Sequence, residues 1–416
     1  MTQDAAARLL AELRPGAVVY IPGSAGEPTT LRDILSIDPA RTQGVRFVSC
    51  LAPGINDFDY AGLHPGARLT TFMASPALQP SFEAGRVHLL PLAYTGIAAY
   101  IENAARIDTA LFQVTPPDAD GLCSAGVAAD FVPQAWRGAK RRIALVNPSA
   151  PRPPRAPKLA LADFDLVVEI DAPVLQAQPA SVSAQTGAIA DRVAALIPDG
   201  ASVQTGIGGV PGAVLDRLTD HRGLVIHSGI VGEGLQTLAQ AGALAAGGAH
   251  VAGVALGAPS FYQFLVESDL VTFADTARTH GAAALARLER FVSVNSALEI
   301  DLFGQANLEW RGGRAVSGLG GAPDFIRAAG RAADGLSIVA LASTAGGGGI
   351  SRITSQLTSP TVSIGRDDID VVVTEHGVAR IRNLSLDERA EALIAIADPR
   401  HQDTLVRQWA AMRAGF

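Results

Sequence analysis

Three glycine-rich segments carry the first chemical signal in this chain: QTGIGGVPGAVLDRL (Gln204 to Leu218), SGLGGAPDF (Ser317 to Phe325) and ASTAGGGGISR (Ala342 to Arg352). Each adjoins an apolar run that reads as a strand or a helix start. A strand, glycine loop and helix in that order present free backbone N–H groups, which suit a phosphate or a developing oxyanion. A single GxGG can equally be a tight turn, so the weight comes from having three such clusters. None has GxxxxGK[ST] spacing, and no acidic residue stands where a ribose would need it, so neither ATP nor NAD is expected. No metal is expected either, because the eight histidines give no HExxH pair and the two cysteines, Cys50 and Cys123, stand apart.

The elements that must hold these loops are visible as an internal repeat. Residues 11–35, AELRPGAVVYIPGSAGEPTTLRDIL, superpose with one gap on residues 195–218, ALIPDGASVQTGIGGVPGAVLDRL. Both run through a helix end, a Gly-Ala pair, a short apolar strand, a glycine-rich loop, a proline and a second helix. The next strands correspond as well, GVRFVSCL from Gly44 beside GLVIHSGI from Gly223. Apolar runs alternate with Ala/Leu-rich helical stretches in both halves, predicting α/β layers with mainly buried strands. The Pro/Ser/Gln-rich stretch near 175–190 reads as a linker, giving an N-terminal domain over 1–182 and a C-terminal one over 183–416. A Pro-rich piece from Asn147 to Ala160 reads as a rigid surface loop bearing Arg152, Arg155 and Lys158.

Composition excludes several classes. With 416 residues, 48% hydrophobic and 18% charged, the chain is globular and large enough for two cores. A formal charge of −7 provides no general attraction for nucleic acid. The stretch Gly234 to Val266 has no Asp, Glu, Lys or Arg, but it is Ala/Gly-rich rather than Leu/Ile/Phe-rich and predicts buried elements, not a membrane span. The N-terminus does not read as a signal peptide, and two scattered cysteines suit a reducing cytoplasm.

Six stretches, taken in order, resemble the acetyl-CoA hydrolase/transferase family, which includes 4-hydroxybutyrate and acetate CoA-transferases within the class I CoA-transferases. They are PPDADGLCSAGVAADF, QTGIGGVPGAVLDRL, FVSVNSALEIDLFGQ, SGLGGAPDFIRAA, ISRIT and VVVTEHGVARIRNLSLDERAEALIAIADP. The resemblance implies two duplicated open α/β domains, the second carrying most of the active site. It implies coenzyme A as an acyl-CoA substrate, a carboxylic acid as the other reactant, and no nucleic-acid or membrane partner. A homo-oligomer, a dimer, is expected.

The family's reaction uses a glutamate that attacks the acyl-CoA carbonyl and passes through an anhydride to a glutamyl-CoA thioester. The segment matching that nucleophile is VIHSGIVGEG, in which Gly229 takes its place. Three explanations stay open. Glu233, four residues on, can serve if the loop is shaped differently, the alternative being a surface charge at a helix start. Glu299 can serve, although the family has a glutamate there besides its nucleophile, which favours a structural role. Or the glutamyl chemistry is absent and the site hydrolyses, decarboxylates or otherwise transfers from an acyl-CoA; a non-catalytic CoA-binding paralogue is the further alternative. The resemblance assigns oxyanion or substrate roles to Gly206, Gly208, Gly318, Gly320 and Gly321, with Gln204 and Asn295 as polar positioners. His227 is a candidate general base, and Gly346, Gly347 and Arg352 are candidate CoA contacts. Arg327 is a further candidate for CoA phosphates.

Overall fold

The computed structural model describes residues 3–177, 182–206, 208–247 and 250–415. The chain forms two compact units, Met1–Gln178 with Ala249–Thr279 and Val316–Gly320, and Pro179–Gly248 with His280–Ala315 and Gly321–Phe416.

In the first unit seven strands pair in parallel in the order Val87–Leu89, Arg68–Thr71, Arg46–Val48, Val18–Tyr20, Thr109–Val114, Arg141–Val146, Leu166–Glu169. The apolar runs of the central strands Val18–Tyr20 and Thr109–Val114 reflect burial on both faces. Val19, Leu111, Ile143 and Leu145 join one core, whereas Val18, Tyr20, Phe112, Ala144 and Val146 join the other. The period of two along each strand divides the hydrophobic residues between the faces.

The second unit repeats the pattern. Its strands run Val225–Val231, Ser202–Thr205, Phe291–Ser296, Leu336–Ala340, Val371–Thr374, all parallel, with Gly377–Arg380 antiparallel at the edge. The strand of each repeat copy, Val18–Tyr20 or Ser202–Thr205, sits next to the strand that follows it in the copy. The turns that launch these strands match too. Gly16 and Gly200 have φ of 85° and 70°, and Gly44 and Gly223 have 73° and 71°. A side chain at such a position costs about 1–2 kcal/mol, which explains why glycine stands at both places in both copies. The uncharged stretch from Gly234 is divided among helix Gly234–Gln240, strand His250–Ala255 and helix Pro259–Glu267. Among the described residues no helix is long and apolar enough to cross a membrane. The Pro-rich piece ends in strand Lys158–Ala160. Its cations meet carboxylates, with Arg155 on Asp269 at 2.6 Å and both Arg152 and Lys158 on Asp118 at 3.4 Å.

The two glycine loops of the repeat differ in how they are held. In the first copy the Ser24 amide donates to Asn56 Oδ1 at 2.8 Å, and a Cβ at Gly23 would overlap the Cys50 carbonyl. Glu27, fully buried, accepts from Tyr60 Oη at 2.5 Å, Asn56 Nδ2 at 2.8 Å and Arg32 Nη2 at 2.5 Å. In the second copy the Gly206 amide makes one long bond, 3.4 Å, to the Val294 carbonyl. Gly208 has φ of 118°, and a Cβ there would meet nothing within 4 Å. Among the described residues the first loop is clamped, and the second leaves open space around Gly208.

Replacing Glu27 with alanine strands the buried donors of Asn56 and Tyr60 and leaves the partly exposed Arg32 without its carboxylate, and should cost about 3 kcal/mol. The melting midpoint is expected to fall by about 6 °C or more, with turnover of the folded protein at 20 °C unchanged. A shift of only a degree or two would remove Glu27 as the clamp.

Candidate active site

The open loop ends at the carboxyl edge of the second sheet, where ligands of open α/β sheets bind. Strand register decides which side chains meet there. Gln204 lies beside Ser293, and Val203 beside Ile226, so His227 flanks Gln204 on its other side. Two residues further along their own strands, Asn295 and Gly229 lie on the same faces as Ser293 and His227. Gln204, Ser293 and Asn295 are buried and bonded: Gln204 Oε1 accepts from Ser293 Oγ at 2.7 Å and from Asn295 Nδ2 at 3.0 Å, and Asn295 Nδ2 lies 2.9 Å from Ser293 Oγ. With its oxygen committed, Gln204 has only N–H donors to offer a ligand.

Beside this row stands a histidine to which the sequence gives no signal. His280 is 2% exposed, and its ring lies 4.4 Å from that of Phe325, centroid to centroid. A Cβ built on Gly229 would come within 2.7 Å of His280 Cε1 and 2.8 Å of its Nε2, closer than real Cβ atoms approach. At Gly321 an added Cβ would overlap Nε2 outright and come within 3.0 Å of Phe325 Cε2. The imidazole therefore fills space that exists only because residues 229 and 321 are glycines. Burial, with His227 nearby, pushes the His280 pKa down to about 3, so the ring is uncharged at neutral pH.

The remaining candidates are placed as follows. His227 is 5% exposed on strand Val225–Val231, its ring 6.4 Å from Phe291 and nearly perpendicular to it. Glu233 is half-buried at the N-cap of helix Gly234–Gln240, beyond the end of that strand. Glu299 is buried, and both its oxygens are engaged. Oε1 accepts from the Thr358 amide at 2.7 Å and Thr354 Oγ1 at 3.1 Å, and Oε2 accepts from Thr358 Oγ1 at 2.9 Å and Asn307 Nδ2 at 3.4 Å. Such a carboxylate anchors the 354–358 segment.

Gly321 caps helix Ala322–Ala329. Gly318 and Gly320 belong to the first unit. There a Cβ at Gly318 would overlap the Phe72 carbonyl, and the Gly320 carbonyl accepts from the Tyr94 amide at 3.1 Å. Gly346, Gly347 and Gly348 all have positive φ, 57°, 65° and 94°. Arg352 donates its amide to the Ser343 carbonyl at 2.8 Å. Its pKa is lowered, by burial first and then by Arg311, while Glu375 acts in the opposite direction. Arg327 is held by Asp368 at 2.9 Å. Cys50, the first-copy counterpart of Gly229, is buried, and burial raises its pKa well above the usual thiol range. Among the described residues no cluster of three or more His, Cys, Asp or Glu is arranged to hold a metal.

Residues 257–409 match the model of the acetyl-CoA hydrolase/transferase C-terminal domain. Over 92% of this chain and 91% of the relative, the sequence is 33% identical to a 4-hydroxybutyrate coenzyme A transferase of Clostridium kluyveri. The chain belongs to the acetyl-CoA hydrolase/transferase family. Solved structures carry the family likeness through the fold. RipA from Yersinia pestis superposes with a TM-score of 0.89 at 26% identity, covering 98% of this chain and 96% of RipA. A 4-hydroxybutyrate CoA-transferase from Porphyromonas gingivalis superposes with 0.80 at 28% identity, covering 99% and 97%.

Sequence patterns single out Gln204 and Asn295, and the structure brings them together through Ser293. Ser293 was legible in principle, being two residues from Asn295 in a strand. His280 lies in the segment ARTHGAAA, which has no motif.

The depressed His280 pKa has a measurable consequence. Between the unfolded value of about 6.5 and the folded value of about 3, the unfolded chain holds a proton that the folded one refuses. The stabilising effect present above pH 6.5 is thus lost as pH falls, by about 1.4 kcal/mol per pH unit. Comparing melting midpoints at pH 7.5 and 5, His280→Gln should lose less stability than the wild type by about 2 kcal/mol, or about 4–8 °C. Equal losses in the two proteins would show that the ring is protonated as readily folded as unfolded.

Proposed function

We propose that this protein is a CoA-dependent enzyme that acts on an acyl-CoA thioester, with a carboxylic acid as its second reactant or product. The observation that carries the reading is the open second loop with its bonded Gln204, Ser293 and Asn295, in a chain 33% identical to a CoA transferase along nine-tenths of both. As a thioester is attacked, its carbonyl oxygen gains negative charge, and fixed N–H donors stabilise that charge. The Gln204 side-chain amide and the backbone amides of Gly206, Gly208, Gly209 and Gly321, all in the second unit, are the donors in this reading. Gly346, Gly347 and Arg352 are its CoA contacts. The two buried, unbridged cysteines fit a cytoplasmic enzyme, and the homo-oligomer expected for it is open to light scattering.

A second reading, in which the acyl group leaves CoA without a glutamyl-enzyme intermediate, is favoured by Gly229 at the position that the family resemblance gives to the nucleophile. It retains the acyl-CoA substrate and differs in the route.

Calorimetry with CoA and acetyl-CoA, followed by release of free thiol from a panel of acyl-CoAs with and without acetate, tests the proposal. Binding is expected, together with consumption of at least one acyl-CoA. Gln204→Leu should lower kcat/KM by about 100-fold through the loss of one donor. Binding without consumption of any acyl-CoA would identify a non-catalytic paralogue, and no binding would end the reading altogether.

A further inference from the structure

The position on the site-facing edge of strand Val225–Val231 that could carry a reacting side chain is residue 229. Strand alternation puts it on the same face as His227, which register sets beside Gln204. It holds glycine, and the volume that a side chain would enter is taken by the His280 ring. The ring does not lie loosely there. Gly321 is held against Nε2, Phe325 lies 4.4 Å away, and the whole residue is 2% exposed.

We propose that His280 determines the class of reaction at this site. Its imidazole excludes a carboxylate from position 229, so the acyl group passes directly from CoA to an external acceptor by single displacement. In that step the acceptor is water: its oxygen bonds to the acyl carbon as the carbon–sulfur bond breaks, the CoA sulfur leaves as thiolate and takes up the proton that the water loses, and free carboxylic acid and CoA thiol result. No bond to the enzyme forms.

The other two carboxylates fit this arrangement. Glu299 is saturated by four donors from Thr354, Thr358 and Asn307. Glu233 begins beyond Val231, and two extended residues past Gly229 already place the chain about 6.6 Å further along. The inference rests on the acyl-CoA reading above, and it can fail while that reading stands.

The test uses the full-length protein and acetyl-CoA, with propionyl-CoA and butyryl-CoA as further probes. Wild-type protein incubated with each thioester, reduced with borohydride and mapped by mass spectrometry should show no modified glutamate. An adduct on Glu233, Glu299 or any other glutamate overturns the proposal. Absence of binding in calorimetry would defeat the acyl-CoA reading itself, so the two failures are distinguishable.

Variants supply the positive arm. Gly229→Glu alone should form no adduct, whereas Gly229→Glu combined with His280→Gly should form one at residue 229 and exchange labelled acetate into acetyl-CoA at least tenfold faster than the wild type. A folded double variant that binds CoA but forms no adduct overturns the determinant role, as does an adduct in the single variant. If the glutamate variants do not fold, the steric claim is read from Gly229→Ala. Its melting midpoint should fall, and His280→Gly in the same chain should recover at least half of the loss. Purely additive losses would contradict the proposal.

Discussion

A buried imidazole pressed against two glycine backbones is the constraint around which the second unit's site is organised. Gly229 and Gly321 come from distant parts of the chain, one from a strand and one from a helix cap, and each would collide with His280 if it bore a single carbon more. Such an arrangement couples three positions, because a larger residue at 229 or 321 requires the His280 ring to shift. It also sets the electrostatics. An uncharged, buried ring places no cation beside Gly229 and Gly321, whereas a charged one would compete for any carboxylate or oxyanion brought there.

The duplication shows why the chemistry belongs to the second copy. Both copies build the same strand order and use left-handed glycines at the same turns. They part at the loop after the strand. Buried Glu27, bonded by Asn56, Tyr60 and Arg32, consolidates the first loop and uses its polar groups internally. The second loop has one long backbone bond at Gly206 and open space around Gly208. One scaffold thus supports a structural corner in one unit and a ligand-facing edge in the other.

Sequence patterning exposes much of this and misses the part that matters most for mechanism. The apolar run IALV within Arg141–Val146 becomes a buried parallel strand, because its residues alternate between two apolar cores and need no polar face, and VVVT at Val371–Thr374 is buried throughout. Gln204 and Asn295 are legible from loop and family pattern, and Ser293 joins them through strand register. Glu299 is visible as a conspicuous acid, but three of its four hydrogen bonds come from Thr354 and Thr358, more than fifty residues away. His280 is invisible at the sequence level because its significance is a matter of volume. No spacing rule connects residue 280 to residues 229 and 321, and the glycines at those positions look like ordinary turn formers until the ring beside them is located.

The most direct test of this arrangement is the protonation state of that ring. In protein labelled with nitrogen-15 histidine, the signal that disappears on His280→Gln should show one donor and one acceptor nitrogen from pH 8 down to pH 4.5, as a neutral imidazole does. A signal that titrates to the doubly protonated form with a midpoint near 6.5 would show a hydrated histidine, and the wedge between Gly229 and Gly321 would be contradicted.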